Sequence, residues 1–160
     1  YAGLMITANG TPKVIEYNCR FGDPETQPVL LRLKSDLVSH CMAALNNSLN
    51  REKVEWETRK SLGVVMASGG YPGNYSNNHP ILGLEDISSK YGHKVFHGGT
   101  KFSDNRLVTN GGRVLCVTAL GDSLEDAKTS AYELVSKISW ENVQYRTDIG
   151  WRAIEKNRKI

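Results

Sequence analysis

Cysteine is scarce in this chain, with three in 160 residues: Cys19, Cys41 and Cys116. An odd number without a Cys-x-x-Cys spacing argues against both a disulfide framework and a structural zinc site. Cys41 and Cys116 fall in apolar patterns and are expected to be buried thiols. Cys19 has no neighbouring histidine in sequence to activate it as a nucleophile. No apolar run approaches the ~20 residues that a membrane helix needs. Charge of one sign is also lacking: 20 basic against 17 acidic side chains leave +3. That excess is too weak and scattered for a nucleic-acid partner and only mildly favours an anionic small molecule. There is no Gly-x-x-x-x-Gly-Lys-Ser/Thr phosphate loop, no internal repeat and no low-complexity tract. The first residue is Tyr1, the opening is already strand-like, and no signal peptide is visible. The expectation is a chain that begins inside a domain and resides in the cytoplasm.

What is present is concentrated in Glu16-Tyr17-Asn18-Cys19-Arg20-Phe21-Gly22-Asp23-Pro24-Glu25. Lys13 to Asn18 reads as extended backbone, in which residues two apart share a face. Val14, Glu16 and Asn18 therefore point one way, Ile15 and Tyr17 the other. A carboxylate and an amide carbonyl stacked in this manner suit Mg²⁺, a hard cation held by few protein oxygens together with substrate phosphates and water. Arg20 adds a planar fork for phosphate or carboxylate. Gly22 permits a tight turn, and Asp23 is placed to N-cap a helix with Pro24 at its first position.

Around this stretch the pattern is α+β. Tyr1 to Thr7 and the strand ending at Asn18 are joined at Asn9-Gly10, a hairpin signal. A short helix is expected from Pro24 to Leu33, with Pro28 tolerated only in its first turn. A second, capped by Ser35, should run to Asn46 and pack Leu37, Val38, Cys41, Met42 and Leu45 into a core. Asn46 to Arg59 reads as a connection with a possible strand at Val54–Trp56, and a domain boundary is expected near residue 58. Beyond it come a buried strand over Ser61–Ala67, a structural turn at Gly69–Gly73 and a helical turn within Ile81–Ser89. Strands at Lys94–His97, Arg106–Thr109 and Arg113–Leu120 are expected to form an antiparallel meander. His97, alone at a strand end, reads as packed rather than ligating. Ser123 and Asp126 form a capping box ahead of an apolar stripe of Ala127, Ala131, Leu134, Val135 and Ile138. Tyr145–Ile154 closes the chain ahead of a basic tail, Lys156–Lys159.

Glu16–Glu25, together with Tyr1–Met5 and Leu33–Leu37, resembles the C-terminal part of the phosphoribosylamine–glycine ligase family, within the ATP-grasp superfamily. The likeness continues through Ala67–Gly73, Val95–Thr100, Thr109–Leu115 and Tyr145–Arg152, nearly the whole chain. The resemblance implies residues 1–58 as the end of an ATP-grasp domain and 59–160 as a small antiparallel-sheet domain with a packed helix. It implies ATP-dependent joining of glycine to 5-phosphoribosylamine through a glycyl phosphate, with Mg²⁺ or Mn²⁺. Glu16 and Asn18 match the family's metal ligands, and a further acidic ligand would precede Tyr1. Arg20 matches a catalytic, phosphate-facing arginine that also contacts substrate, and Asp23 a residue lining the substrate site. The missing N-terminal part would be needed for activity, and further purine-pathway domains can be fused to such a chain. Two other readings stand beside this one: another ATP-grasp ligase of purine metabolism, and a non-catalytic binding module on the same scaffold.

Overall fold

The computed structural model describes residues 1–87 and 91–157. Strands β1 (Ala2–Ile6) and β2 (Pro12–Tyr17) form an antiparallel hairpin. Its turn uses Gly10 at φ +83°, a left-handed conformation that glycine adopts without a Cβ penalty. Helix α1 (Thr26–Arg32) and helix α2 (Leu37–Leu45) follow, then a single 3₁₀ turn at Leu49–Arg51. Pro28 falls in the first turn of α1, where its missing N–H leaves no bond unmade.

The second part is built on β3 (Lys60–Ala67), β4 (His93–His97) and β7 (Arg113–Gly121), ordered β3-β7-β4 and antiparallel throughout. Between β4 and β7 the chain makes a separate hairpin, β5 (Thr100–Ser103) with β6 (Arg106–Thr109). Asp104 and Asn105 turn it with φ +48° and +59°, the paired left-handed geometry that suits right-twisted strands. The expected meander is corrected accordingly: β7 returns between β3 and β4 rather than beside β6. The crossing is a close approach of backbones. A Cβ on Gly99 would lie 2.8 Å from the Arg113 carbonyl oxygen and 3.0 Å from the Gly111 Cα. Only glycines let the hairpin peel away from the sheet at that point.

Helix α3 (Leu124–Val135) covers one face of this sheet. Its capping box forms as expected, Ser123 accepting from the Asp126 N–H while Asp126 accepts from the Ser123 N–H. Ala127, Ala131, Leu134, Val135 and Ile138 are all buried, against Leu62, Val64, Met66, Leu115 and Val117. Gly121 sits under the helix start: a Cβ there would meet the Ala127 nitrogen at 2.2 Å. The opposite face of the sheet receives α1. Ser61 donates to the Pro28 carbonyl at 2.8 Å, and a Cβ on Gly63 would touch the Pro28 Cδ at 3.3 Å. The arrangement is thus helix on sheet on helix, with α1 tied directly to the scaffold that follows it.

Several expectations are revised. The cap of α2 is Asp36, which accepts from the Val38 N–H at 2.8 Å, not Ser35. Ser35 instead accepts from the Glu55 N–H at 3.1 Å. The apolar face of α2 does not enter a core: Val38 is 68% and Leu45 77% exposed, and only Ala43 is buried. Periodicity marks an apolar surface, and here most of that surface stays exposed. Cys41, on that face, is exposed, whereas Cys116 is buried as expected. Val54–Trp56 is not a strand; Trp56 makes one bridge with Leu33. Helix α4 (Trp151–Asn157) was not anticipated. A turn joins Leu84 and Ile87, while Ser88–Lys90 and the tail's Arg158 and Lys159 lie outside the described residues. Among the described residues, no helix is long and apolar enough to cross a membrane.

Candidate functional site

The hairpin sets the first half of the site. Glu16 lies opposite Gly3, and a Cβ on Gly3 would come within 3.1 Å of the Glu16 Cγ, so the glycine leaves room for that carboxylate. One carboxylate oxygen, Oε1, accepts from the Tyr1 hydroxyl at 3.1 Å. That bond holds the Tyr1 phenol above its ordinary pKa, because ionising it would place a second negative charge beside Glu16. The Asn18 N–H donates to the Tyr1 carbonyl at 2.8 Å, which carries the ladder one residue past β2. Extended alternation therefore continues from Glu16 to Asn18. The Asn18 amide has a buried end, Nδ2, without a hydrogen-bond partner among the described residues. A half-turn of the amide exchanges Nδ2 and Oδ1, so the feature is an unpaired buried polar end awaiting a ligand. A free carboxylate oxygen and an unpaired amide fit a hard divalent cation that takes its remaining ligands elsewhere. Among the described residues there is no group of three or more His, Cys, Asp or Glu able to hold a metal by itself.

Arg20 is exposed and donates through Nη1 to the Phe21 carbonyl at 3.0 Å. Its charge, with those of Glu16 and Glu25, reaches the Tyr1 hydroxyl, so these groups gather around one point. Asp23 faces elsewhere. It does not cap α1; the residue before that helix is Glu25, whose side chain makes no capping bond, and the Thr26 hydroxyl donates to the Gly22 carbonyl at 2.6 Å. The Asp23 carboxylate instead pairs with Arg113 at 2.9 Å, and a charge partner outcompetes a neutral backbone donor.

That ion pair stands in a cleft that composition and motifs did not reveal. One part, about 340 Å³, is lined by Asp23, Gln27, Phe96, Gly98 and Cys116. The other, about 540 Å³, is lined by Pro24, Gly63, Gln144, Tyr145 and Arg146. Val65, Tyr71 and Arg113 border both. The Tyr71 ring packs against Gly112, where a Cβ would come 2.1 Å from the ring. The Gly-Gly-Tyr-Pro-Gly segment forms a turn, as expected, and it delivers this ring to the cleft. Arg113 and Arg146 lay within blocks of family likeness, Thr109–Leu115 and Tyr145–Arg152, and otherwise showed only as an arginine opening a buried strand and an Arg-x-Asp pair. Neither stands out without its distant partners.

Cys116 borders the cleft with its thiol pushed up to about 11, first by burial and then by the charge of Asp23. At pH 8 roughly one such thiol in a thousand is ionised. Iodoacetamide at pH 8 is therefore expected to leave Cys116 unmodified in the folded protein and to label it after denaturation, as read by peptide mass mapping.

A hairpin bearing a carboxylate–amide pair, followed by an arginine loop and a sheet layered between helices, is an α+β arrangement. Comparison agrees: residues 1–26 match the family model described as phosphoribosylglycinamide synthetase, ATP-grasp (A) domain. Residues 61–152 match phosphoribosylglycinamide synthetase, C domain. The chain belongs to the phosphoribosylglycinamide synthetase family. It is 57% identical over 159 residues to phosphoribosylamine–glycine ligase of Escherichia coli K12, covering 99% of this chain and 37% of that protein. The ligase of Vibrio parahaemolyticus is 54% identical over 159 residues, with the same coverage. The crystal structure of the Thermotoga maritima ligase superposes with TM-score 0.72 at 33% identity, covering 92% of this chain and 35% of that one. The chain thus spans little more than a third of the length of the curated relatives it matches.

Proposed function

We propose that this chain is the C-terminal part of a cytoplasmic, ATP-dependent ligase that joins glycine to 5-phosphoribosylamine, giving glycinamide ribonucleotide, ADP and phosphate. The chemical problem sets the requirements. A carboxylate is a poor acyl donor, so ATP first converts glycine to glycyl phosphate, which the amine then attacks. Bringing a carboxylate and a γ-phosphate together places two anions side by side, and cations must offset their repulsion. Glu16 and Asn18 are the residues that would hold Mg²⁺ or Mn²⁺. When bound, the ion neutralises phosphate charge and orients the transferring group. Arg20, exposed beside that pair, holds a phosphoryl oxygen or a substrate anion through its fork. Asp23 lines the substrate side, held there by Arg113. Residues 1–58 carry the metal pair as the end of the ATP-grasp domain, and residues 59–160 form the wall that faces it.

The observation that carries this reading is the Glu16–Asn18 ladder with its unpaired amide end beside Arg20. In the full-length protein, ADP release should require glycine, 5-phosphoribosylamine and a divalent cation together, with glycinamide ribonucleotide detected by mass spectrometry. Residues 1–160 alone should make no product. Nucleotide binding without turnover would favour the binding module, and turnover confined to a different carboxylate or amine would favour another purine ligase.

A further inference from the structure

The larger part of the cleft carries two guanidinium groups, Arg113 and Arg146, on otherwise mostly apolar walls. Concave, mostly apolar sites with a few converging polar groups are where small molecules bind. Both arginines are already oriented. Arg146 grips Asp148 in a fork, Nε to Oδ1 at 2.8 Å and Nη2 to Oδ2 at 2.7 Å. Arg113 uses Nη2 on Asp23. A guanidinium has five N–H donors, so each keeps donors in hand after its carboxylate is satisfied. Such a carboxylate contact, though partly exposed, favours a rotamer before a ligand arrives.

The segment carrying Arg146 is clasped from below. The Tyr132 hydroxyl, on α3, donates to the Arg146 carbonyl at 2.6 Å and accepts from the Ile149 N–H at 3.2 Å. Upstream, Gln144 exchanges both backbone bonds with Ala67, at 2.8 and 2.9 Å, and its side chain donates to the Tyr71 carbonyl at 2.7 Å. Residues 144–149 are therefore fastened to β3, to the Tyr71 turn and to α3. Asp23 and Asp148 offset the two positive charges, so what the arginines offer an anion is their remaining N–H donors rather than a net charge.

We propose that this cleft is an anion subsite that takes the 5-phosphate of the amine substrate, with Arg113 and Arg146 as its phosphate contacts. The assignment rests on the ligase reading above. It puts the phosphate on the sheet domain while the reacting amine reaches back past Pro24 toward Glu16 and Arg20. Two phosphate contacts supplied by one domain, and chemistry supplied by the other, let the substrate span the joint between them.

The test compares binding of glycinamide ribonucleotide with that of the same molecule lacking its phosphate, by calorimetry on the full-length protein. Arg146→Met and Arg113→Met should each weaken the ribonucleotide about 10- to 100-fold, the worth of a hydrogen bond to a charged group. Binding of the dephosphorylated riboside should not change in Arg146→Met, and binding of ATP should change in neither variant. Arg146→Lys, which keeps the charge and loses the fork, should fall between wild type and Arg146→Met. Equal weakening of ribonucleotide and riboside would mark the arginines as structural and overturn the proposal. If the wild type prefers the ribonucleotide and the variants retain that full preference, the cleft assignment falls while the ligase reading stands. If the wild type binds neither compound, the ligase reading itself has failed.

Discussion

On the proposed function, Glu16→Gln in the full-length protein is expected to lower glycine-dependent ADP release by at least about 10²- to 10³-fold, the range for loss of one electrostatic contributor to a transition state. The substitution is almost isosteric, and the glutamine carbonyl still accepts from the Tyr1 hydroxyl that now bonds Oε1. What disappears is the negative charge that makes this oxygen a competent ligand for a hard cation. Raising Mg²⁺ should recover part of the loss, because the defect lies in ion occupancy. Thermal unfolding should be unchanged, since the side chain is exposed. Near-normal turnover across a Mg²⁺ titration would take Glu16 out of the metal site.

Met66→Ala should have the largest effect on stability. Met66 is 0% exposed, near the centre of the cluster formed by β3, β7 and α3. Removing most of a buried side chain costs its transfer free energy and leaves a cavity, together about 2–5 kcal/mol. Urea denaturation followed by tryptophan fluorescence measures this, because Trp140 is buried in the same cluster. The same change at Met42, 52% exposed on α2, should cost less than about 0.5 kcal/mol in this chain. Equal losses at the two positions would mean that the packed core is not where β3 and α3 place it.

These two methionines show where sequence reading succeeds and where it stops. Both lie in apolar patterns with clear periodicity. For α3 the pattern, the capping box and the burial agree, because a long amphipathic helix finds its sheet a few residues upstream. For α2 the same signal is present, but burial depends on a partner, and a pattern of side chains says nothing about whether one lies opposite. The pairing of Glu16 and Asn18 along one side of extended backbone was legible because they are two residues apart, and strand alternation alone sets them so. Asp23 was legible as a functional candidate through the family resemblance, but its capping role was misread. A local rule offered a backbone donor, while folding offered Arg113, ninety positions along the chain.

By itself, then, the order of residues determined what neighbours decide: the Asn9-Gly10 hairpin, the box at the start of α3, the strands, and the spacing of the oxygen donors. Tertiary structure alone decided which apolar faces are covered, that β7 runs between β3 and β4, and that Asp23, Tyr71, Arg113 and Arg146 border one cleft. The reason is range. Turn, cap and alternation preferences act within a few residues, whereas an ion pair or a cleft exists only when distant segments are brought within a few ångströms, and that depends on how the whole core packs.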